Sequence, residues 1–140
     1  MNEKINMEIT QTHINTLQSI ISRHANYSLN CKAWCVTVIT AMIIFFYEER
    51  QTINSFIFLL PIIVFYLLDC FYLGLERLFK QNYNDFIKKL QTDSKIEKDI
   101  KISTKGKNKF IFFLKGFVSF STTPIYLVMC IFIFFIYKGV

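Results

Sequence analysis

Apolar residues gather along the chain into three runs separated by polar segments. The first is AWCVTVITAMIIFFY, from Ala33 to Tyr47. The second is INSFIFLLPIIVFYLLDCFYLGL, from Ile53 to Leu75, and the third is FVSFSTTPIYLVMCIFIFFIY, from Phe117 to Tyr137. A helix needs about 20 apolar residues to cross a bilayer. The second and third runs meet that length. The first meets it if its helix begins near Tyr27, which draws Asn26, Ser28, Asn30 and Lys32 toward or into the inner half of the membrane. Pro61 falls in the middle of the second run, where a membrane helix tolerates it with a local kink. Pro124 falls early in the third, and the expectation there is a helix that begins before the proline and bends.

The polar segments carry a pattern of their own. Before the first run, Ile14, Leu17, Ile20 and Ile21 recur at the spacing of one face of an amphipathic helix. After the second run, Leu75, Leu78, Phe79, Phe86, Ile87 and Leu90 continue a helical stripe, with Arg77, Lys80, Lys88 and Lys89 on the polar side. Each stripe needs a cover, and the expectation is that the two helices pack on each other rather than lie along anionic headgroups. The stretch QTDSKIEKDIKISTKGKNK that follows is polar and basic, with a weak strand-like alternation at Ile96, Ile100 and Ile102. The pattern predicts an all-α membrane protein with three transmembrane helices and cytoplasmic helical extensions. Its parts are a cytoplasmic amphipathic helix over 1–26, a two-helix transmembrane hairpin over 27–75, a basic cytoplasmic helix and linker over 76–116, and a third transmembrane helix over 117–140.

Composition fits that class. In 140 residues, 53% are hydrophobic, 16 are Phe and only 19% are charged. That is too apolar for a soluble domain of this length, and there is no room for a second sizeable core. The N-terminal residues are polar and show no apolar core of a cleaved signal peptide. Charge placement sets the expected orientation. Eleven basic residues lie between Arg77 and Lys115, against the acidic link containing Glu48 and Glu49. Positive residues favour the cytoplasmic side, so the N-terminus and the middle segment are expected in the cytoplasm and the short link and C-terminus outside.

Candidate chemistry is sparse. Cys31, Cys35, Cys70 and Cys130 lie in or beside the apolar runs and read as small buried hydrophobes, since their spacing lacks a zinc pattern. His13 and His24 are eleven residues apart on roughly one helix side, with no further metal ligands evident. There is no phosphate-binding glycine loop, no HExxH and no nucleophile paired with a base, so the chain is not expected to be an enzyme or to carry a cofactor or metal. The lysines near 105–109 are not interleaved with aromatics, so nucleic acid is not an expected partner.

Asp69 is the exception in the second run. An ionisable group at membrane depth is rare and faces other helices or water. With Tyr47 and Asn54 as the outer ends of the first two spans, Lys32 and Asp69 lie at equal depth, roughly 22 Å down at the rise of an α-helix. In an antiparallel hairpin they can meet. The candidate site is therefore an intramembrane polar patch of Asn26, Asn30, Lys32 and Asp69, with Glu76 and Arg77 at the junction to the cytoplasmic helix. Its bland reading is a structural ion pair that fixes register; its functional reading is a switch or a water-lined path.

Several of these residues also carry a resemblance. Arg23-His-Ala-Asn26-Tyr-Ser28, Lys32-Ala-Trp34-Cys-Val-Thr, Leu60-Pro61 and Asp69-Cys-Phe-Tyr72-Leu-Gly-Leu-Glu76-Arg77-Leu-Phe79-Lys80, followed by Tyr83, resemble a family of small three-span bacterial inner-membrane proteins of mostly unassigned function. The likeness covers about residues 17 to 90. The chain departs from that pattern with Ala33 where the family has Gly and Lys80 where it has Arg, and the third span matches only in kind. The resemblance implies a bacterial membrane protein of the sort that accompanies anti-phage modules. The resulting expectation is an oligomeric effector that permeabilises or depolarises the inner membrane. The alternative is a membrane anchor or adaptor that recruits a cytoplasmic partner through 76–116.

Overall fold

In a computed structural model, residues 2–48, 56–92, 117 and 119–139 are described. They form three α-helices: α1 over Asn2–Glu48, α2 over Phe56–Thr92 and α3 over Thr123–Gly139. The basic linker, the strand-like alternation near Ile100 and the lysines near 105–109 lie outside the described residues.

The first two elements are longer than the apolar runs that predict them. α1 has 47 residues and α2 has 37, about 70 Å and 55 Å at 1.5 Å per residue. α1 unites two parts that the sequence pattern divides, the amphipathic segment and the first apolar run; α2 carries the second apolar run on into the basic helix, as the continuing stripe predicts. Neither junction holds a proline, and the helix runs through Gly74 at the second; Pro61 sits well inside the apolar half of α2, where the helix also runs on.

The two long helices pack antiparallel along their length. α1 places Leu17, Ser28, Cys31, Lys32, Cys35 and Ile39 on its buried stripe, while α2 supplies Ile62, Asp69, Cys70, Leu73, Leu78 and Phe86. Spacings such as 28, 31, 35 and 39 on α1 and 62, 69 and 73 on α2, three, four and seven residues apart, are what one helix face presents to a neighbour. Beyond the apolar half, His13 meets Phe86 with ring centroids 4.6 Å apart, and the Gln18 amide donates to the Tyr83 hydroxyl at 3.3 Å. The amphipathic segment thus covers the stripe that continues α2, as the two patterns require.

The outward faces are apolar where the runs are. Trp34, Ile44 and Phe45 on α1, Phe56, Leu60 and Ile63 on α2, and Leu127, Val128 and Phe132 on α3 are all exposed. α1 and α2 are long and apolar enough to cross a membrane, and only 22% and 28% of the residues in their most apolar windows are buried. A helix buried in a soluble core would hide that surface; water would disfavour leaving it open. The two helices are consistent with a membrane protein.

The third run folds differently from the expectation. Its helix starts at Thr123, with Pro124 in the first turn, rather than starting earlier and bending. A proline ring excludes the hydrogen bond of a helix interior but suits the first helical turn. The preceding Ser119–Thr122 segment turns instead. The Thr122 and Thr123 amides both donate to the Ser119 carbonyl at 3.1 Å, and the Thr123 hydroxyl donates to the Phe117 carbonyl at 2.9 Å. Hydroxyls that bond nearby backbone compete with helix, which is why this Ser/Thr-rich stretch leaves it. α3 therefore has 17 residues, about 25 Å, short of the roughly 30 Å hydrocarbon core.

Candidate functional site: a buried ion pair at the meeting of three helices

Asp69 is wholly buried between α1 and α2, and Lys32 is 8% exposed. The Lys32 ammonium stands 2.9 Å from Asp69 Oδ1, to which it donates, and 2.8 Å from Oδ2 in ion contact. It also donates to the Ser28 hydroxyl at 2.8 Å, and that hydroxyl donates to Asp69 Oδ1. Lysine, serine and carboxylate thus close a three-membered ring of polar contacts. Its outer wall is apolar or weakly polar: Cys31, Cys35, Cys70 and Leu73 are all buried beside it in the sequence of the two helices.

Three features of the sequence create this arrangement. The antiparallel hairpin puts residues 32 and 69 at one level. Ser28 stands four residues before Lys32 and so shares its helix face. Asp69 falls on the buried stripe of α2, with Ile62, Cys70 and Leu73. An ammonium and a carboxylate withdrawn from water each carry a solvation penalty of several kcal/mol, and only close contact with extra hydrogen bonds offsets it. Ser28 supplies those bonds to both partners.

The structure brings together only part of the sequence-derived patch. Lys32 and Asp69 meet. Asn26 and Asn30 are exposed on α1 and do not join them. The reason is angular: positions two apart on a helix lie on nearly opposite sides, so the face that carries Lys32 toward α2 carries Asn30 away from it. The residue missing from the patch is Ser28, which the four-residue spacing marks.

Glu76 and Arg77 part company for the same reason. Glu76 lies 3.8 Å from Lys80 and faces His24 of α1. The Arg77 guanidinium reaches the other way and donates to the Ser119 hydroxyl at 2.7 Å. That contact is among those that tie the start of α3 to α2. The Tyr66 hydroxyl donates to the Phe117 carbonyl at 2.7 Å, and the Tyr126 hydroxyl donates to the Phe65 carbonyl at 3.2 Å. Tyr126 also belongs to the core of Cys35, Ile39, Ile62 and Ile133, whose Cys35 lies one turn along α1 from Lys32. Thr122 beside it is fully buried. The ion pair therefore sits where all three helices converge, and α3 runs from that level toward the end of the hairpin. Sequence periodicity held no sign of Ser119 or Tyr126, because their partners on α2 are 42 and 61 residues away.

Outside the apolar half, burial holds His13 below the ordinary histidine range. His24 is also lowered, first by burial and then by the Arg23 charge, with Glu76 pulling the other way. Among the described residues no group of three His, Cys, Asp or Glu is placed to hold a metal ion. No protein-family model, curated protein or solved structure matches the chain.

Proposed function

We propose that the chain is an oligomeric effector of the bacterial inner membrane that permeabilises or depolarises it, acting in anti-phage defence. The carrying observation is the continuity of α1 and α2, each unbroken from the amphipathic stalk, residues 8–24 of α1 with 76–90 of α2, to the apolar half that holds Lys32 and Asp69. A helix pair does not shorten along its axis, so a displacement at the stalk is delivered to the ion pair. The pair, the three side chains that clasp α3 and the turn before it are polar contacts in an otherwise apolar layer. Apolar helices in lipid gain little by packing on each other, so such contacts hold a large share of the specificity of the closed arrangement. Shifting the stalk breaks them and exposes Lys32, Asp69 and Ser28 to whatever adjoins. Two or three helices enclose no pathway, so the leak forms between copies. The resemblance of residues 17 to 90 to small inner-membrane proteins of bacteria supports the setting.

In this reading α1 and α2 cross the membrane as a hairpin, and α3 with the residues before it makes a third crossing. The N-terminus and the segment 76–116 face the cytoplasm and the C-terminus faces outward, following the basic residues. Reporter fusions test this directly. A fusion at Val140 is expected to be active only as a periplasmic reporter and one at Asn2 only as a cytoplasmic reporter; a cytoplasmic signal at Val140 overturns the three-crossing topology.

The function is tested in cells that carry the chain with its gene neighbourhood and are challenged with phage. Loss of membrane potential and entry of a small impermeant dye are expected before lysis. The basic, exposed Lys80, Lys88 and Lys89 on the stalk favour a second reading, an adaptor that holds a cytoplasmic protein at the membrane. Retained potential together with co-purification of such a protein selects it.

A further inference from the structure

We propose that the stalk is a pH-operated clasp: the two long helices pack there while His13 and His24 are neutral, and part when the two rings take up protons. Leu17, Leu78 and Phe86 are buried in the contact between the helices in this region, and the two histidines fill the space between them. The His24 ring lies nearly parallel to Phe79, with centroids 5.6 Å apart at 12°, and to Tyr72 at 6.2 Å and 27°. Tyr27 closes the edge at 6.2 Å. The imidazole is used here as a flat aromatic spacer, and its Nδ1 is buried with no hydrogen-bond partner. A neutral ring tolerates that; an imidazolium places a second N–H there and needs an acceptor.

The charged groups around each ring set the sign. On its own helix His24 has Arg23, which opposes a second positive charge. On α2 it has Glu76, which favours one, but Glu76 is shared with Lys80 at 3.8 Å. Tyr27 and Tyr72 are its other titratable neighbours. His13 is 8% exposed and lies against Phe86, and burial alone shifts it. Tyr83 on α2, near Phe86, is engaged by Gln18, and Glu8, Asp85, Lys88 and Lys89 are the charged residues that flank the site in the sequence. Both rings bind protons less readily when the helices are packed than when they are apart. The parted state therefore holds more protons, and packing is favoured above the ordinary histidine value of 6.5 and weakened as pH falls below it. Within that window each histidine shifts the equilibrium by up to about tenfold per pH unit. The clasp is a property of the stalk and does not depend on what the membrane half does.

The chain holds two histidines, so ring-labelled histidine in the full-length protein in lipid nanodiscs gives two assignable signals. Both are expected to titrate below 6.5. Amide hydrogen exchange over 8–24 and 76–90, corrected for the intrinsic rate, is expected to quicken between pH 7.5 and 5.5 while 32–46 stays protected. The variant His13→Phe/His24→Phe, which keeps the flat rings without the titration, is expected to show no such change. The proposal is overturned if either ring titrates at or above 6.5, if stalk protection is equal at the two pH values, or if the double variant loses protection as the native chain does. Should that variant fail to enter the membrane, the titration and exchange of the native chain decide alone by the same criteria.

Discussion

Asp69→Ala is expected to be the most damaging single substitution in the chain. It leaves the Lys32 ammonium buried between α1 and α2, with Ser28 as its remaining polar partner. Breaking one side of a buried pair costs about 3–5 kcal/mol, because the other charge is stranded away from water. The folded fraction recovered in mild detergent is expected to fall more than tenfold, with the remainder aggregated or degraded. Lys32→Ala strands the carboxylate and is expected to act similarly. Thermal unfolding of the purified variants, read by fluorescence of the single Trp34, gives the size of the loss; unfolding at the native temperature for both would remove the pair from any structural role.

Replacing both partners separates stability from function. In Lys32→Met/Asp69→Leu neither charge remains to be stranded, and two apolar side chains of comparable volume fill the space. Such exchanges are often neutral or stabilising by about 1–4 kcal/mol. Insertion and folded yield are therefore expected to return to near the native level. Permeabilisation is expected to fall at least tenfold, because the polar contact that the stalk displaces no longer exists. A double variant that folds and also depolarises normally would make the pair a structural fixture only.

Much of this geometry follows from short-range rules. The equal depth of Lys32 and Asp69 is legible because an antiparallel hairpin with a short link turns residue counts into heights. The packing of the stalk is legible because Leu17 on one segment and Leu78 and Phe86 on the other complete stripes that need covering. The angular placement of Asn26 and Asn30 is equally local: counting in steps of four from Lys32 selects Ser28 and excludes both asparagines. The start of α3 is different in kind. An apolar run states that a segment avoids water, but not where within it a helix begins. Ser119, Thr122 and Thr123 settle that by bonding the backbone around them, and Tyr66, Arg77 and the Phe65 carbonyl of α2 hold the result, the last through Tyr126. Contacts between residues so far apart leave no periodic trace. Periodicity carried the second run on into the basic helix through Leu75, Leu78, Phe79 and Phe86, but did not join the N-terminal amphipathic segment to the first run, since a continuous helix and two helices with a bend share the same stripe.

The dependence of membrane leakage on the buried pair is open to one direct comparison. Cells carrying the gene neighbourhood express either the native chain or Lys32→Met/Asp69→Leu at matched membrane abundance, and membrane potential is followed after phage challenge. The expected result is depolarisation with the native chain and a retained potential with the double variant. A potential that holds in both, while the native protein is abundant in the membrane and the defence is active, contradicts the effector function; equal depolarisation in both contradicts the role of Lys32 and Asp69 in it.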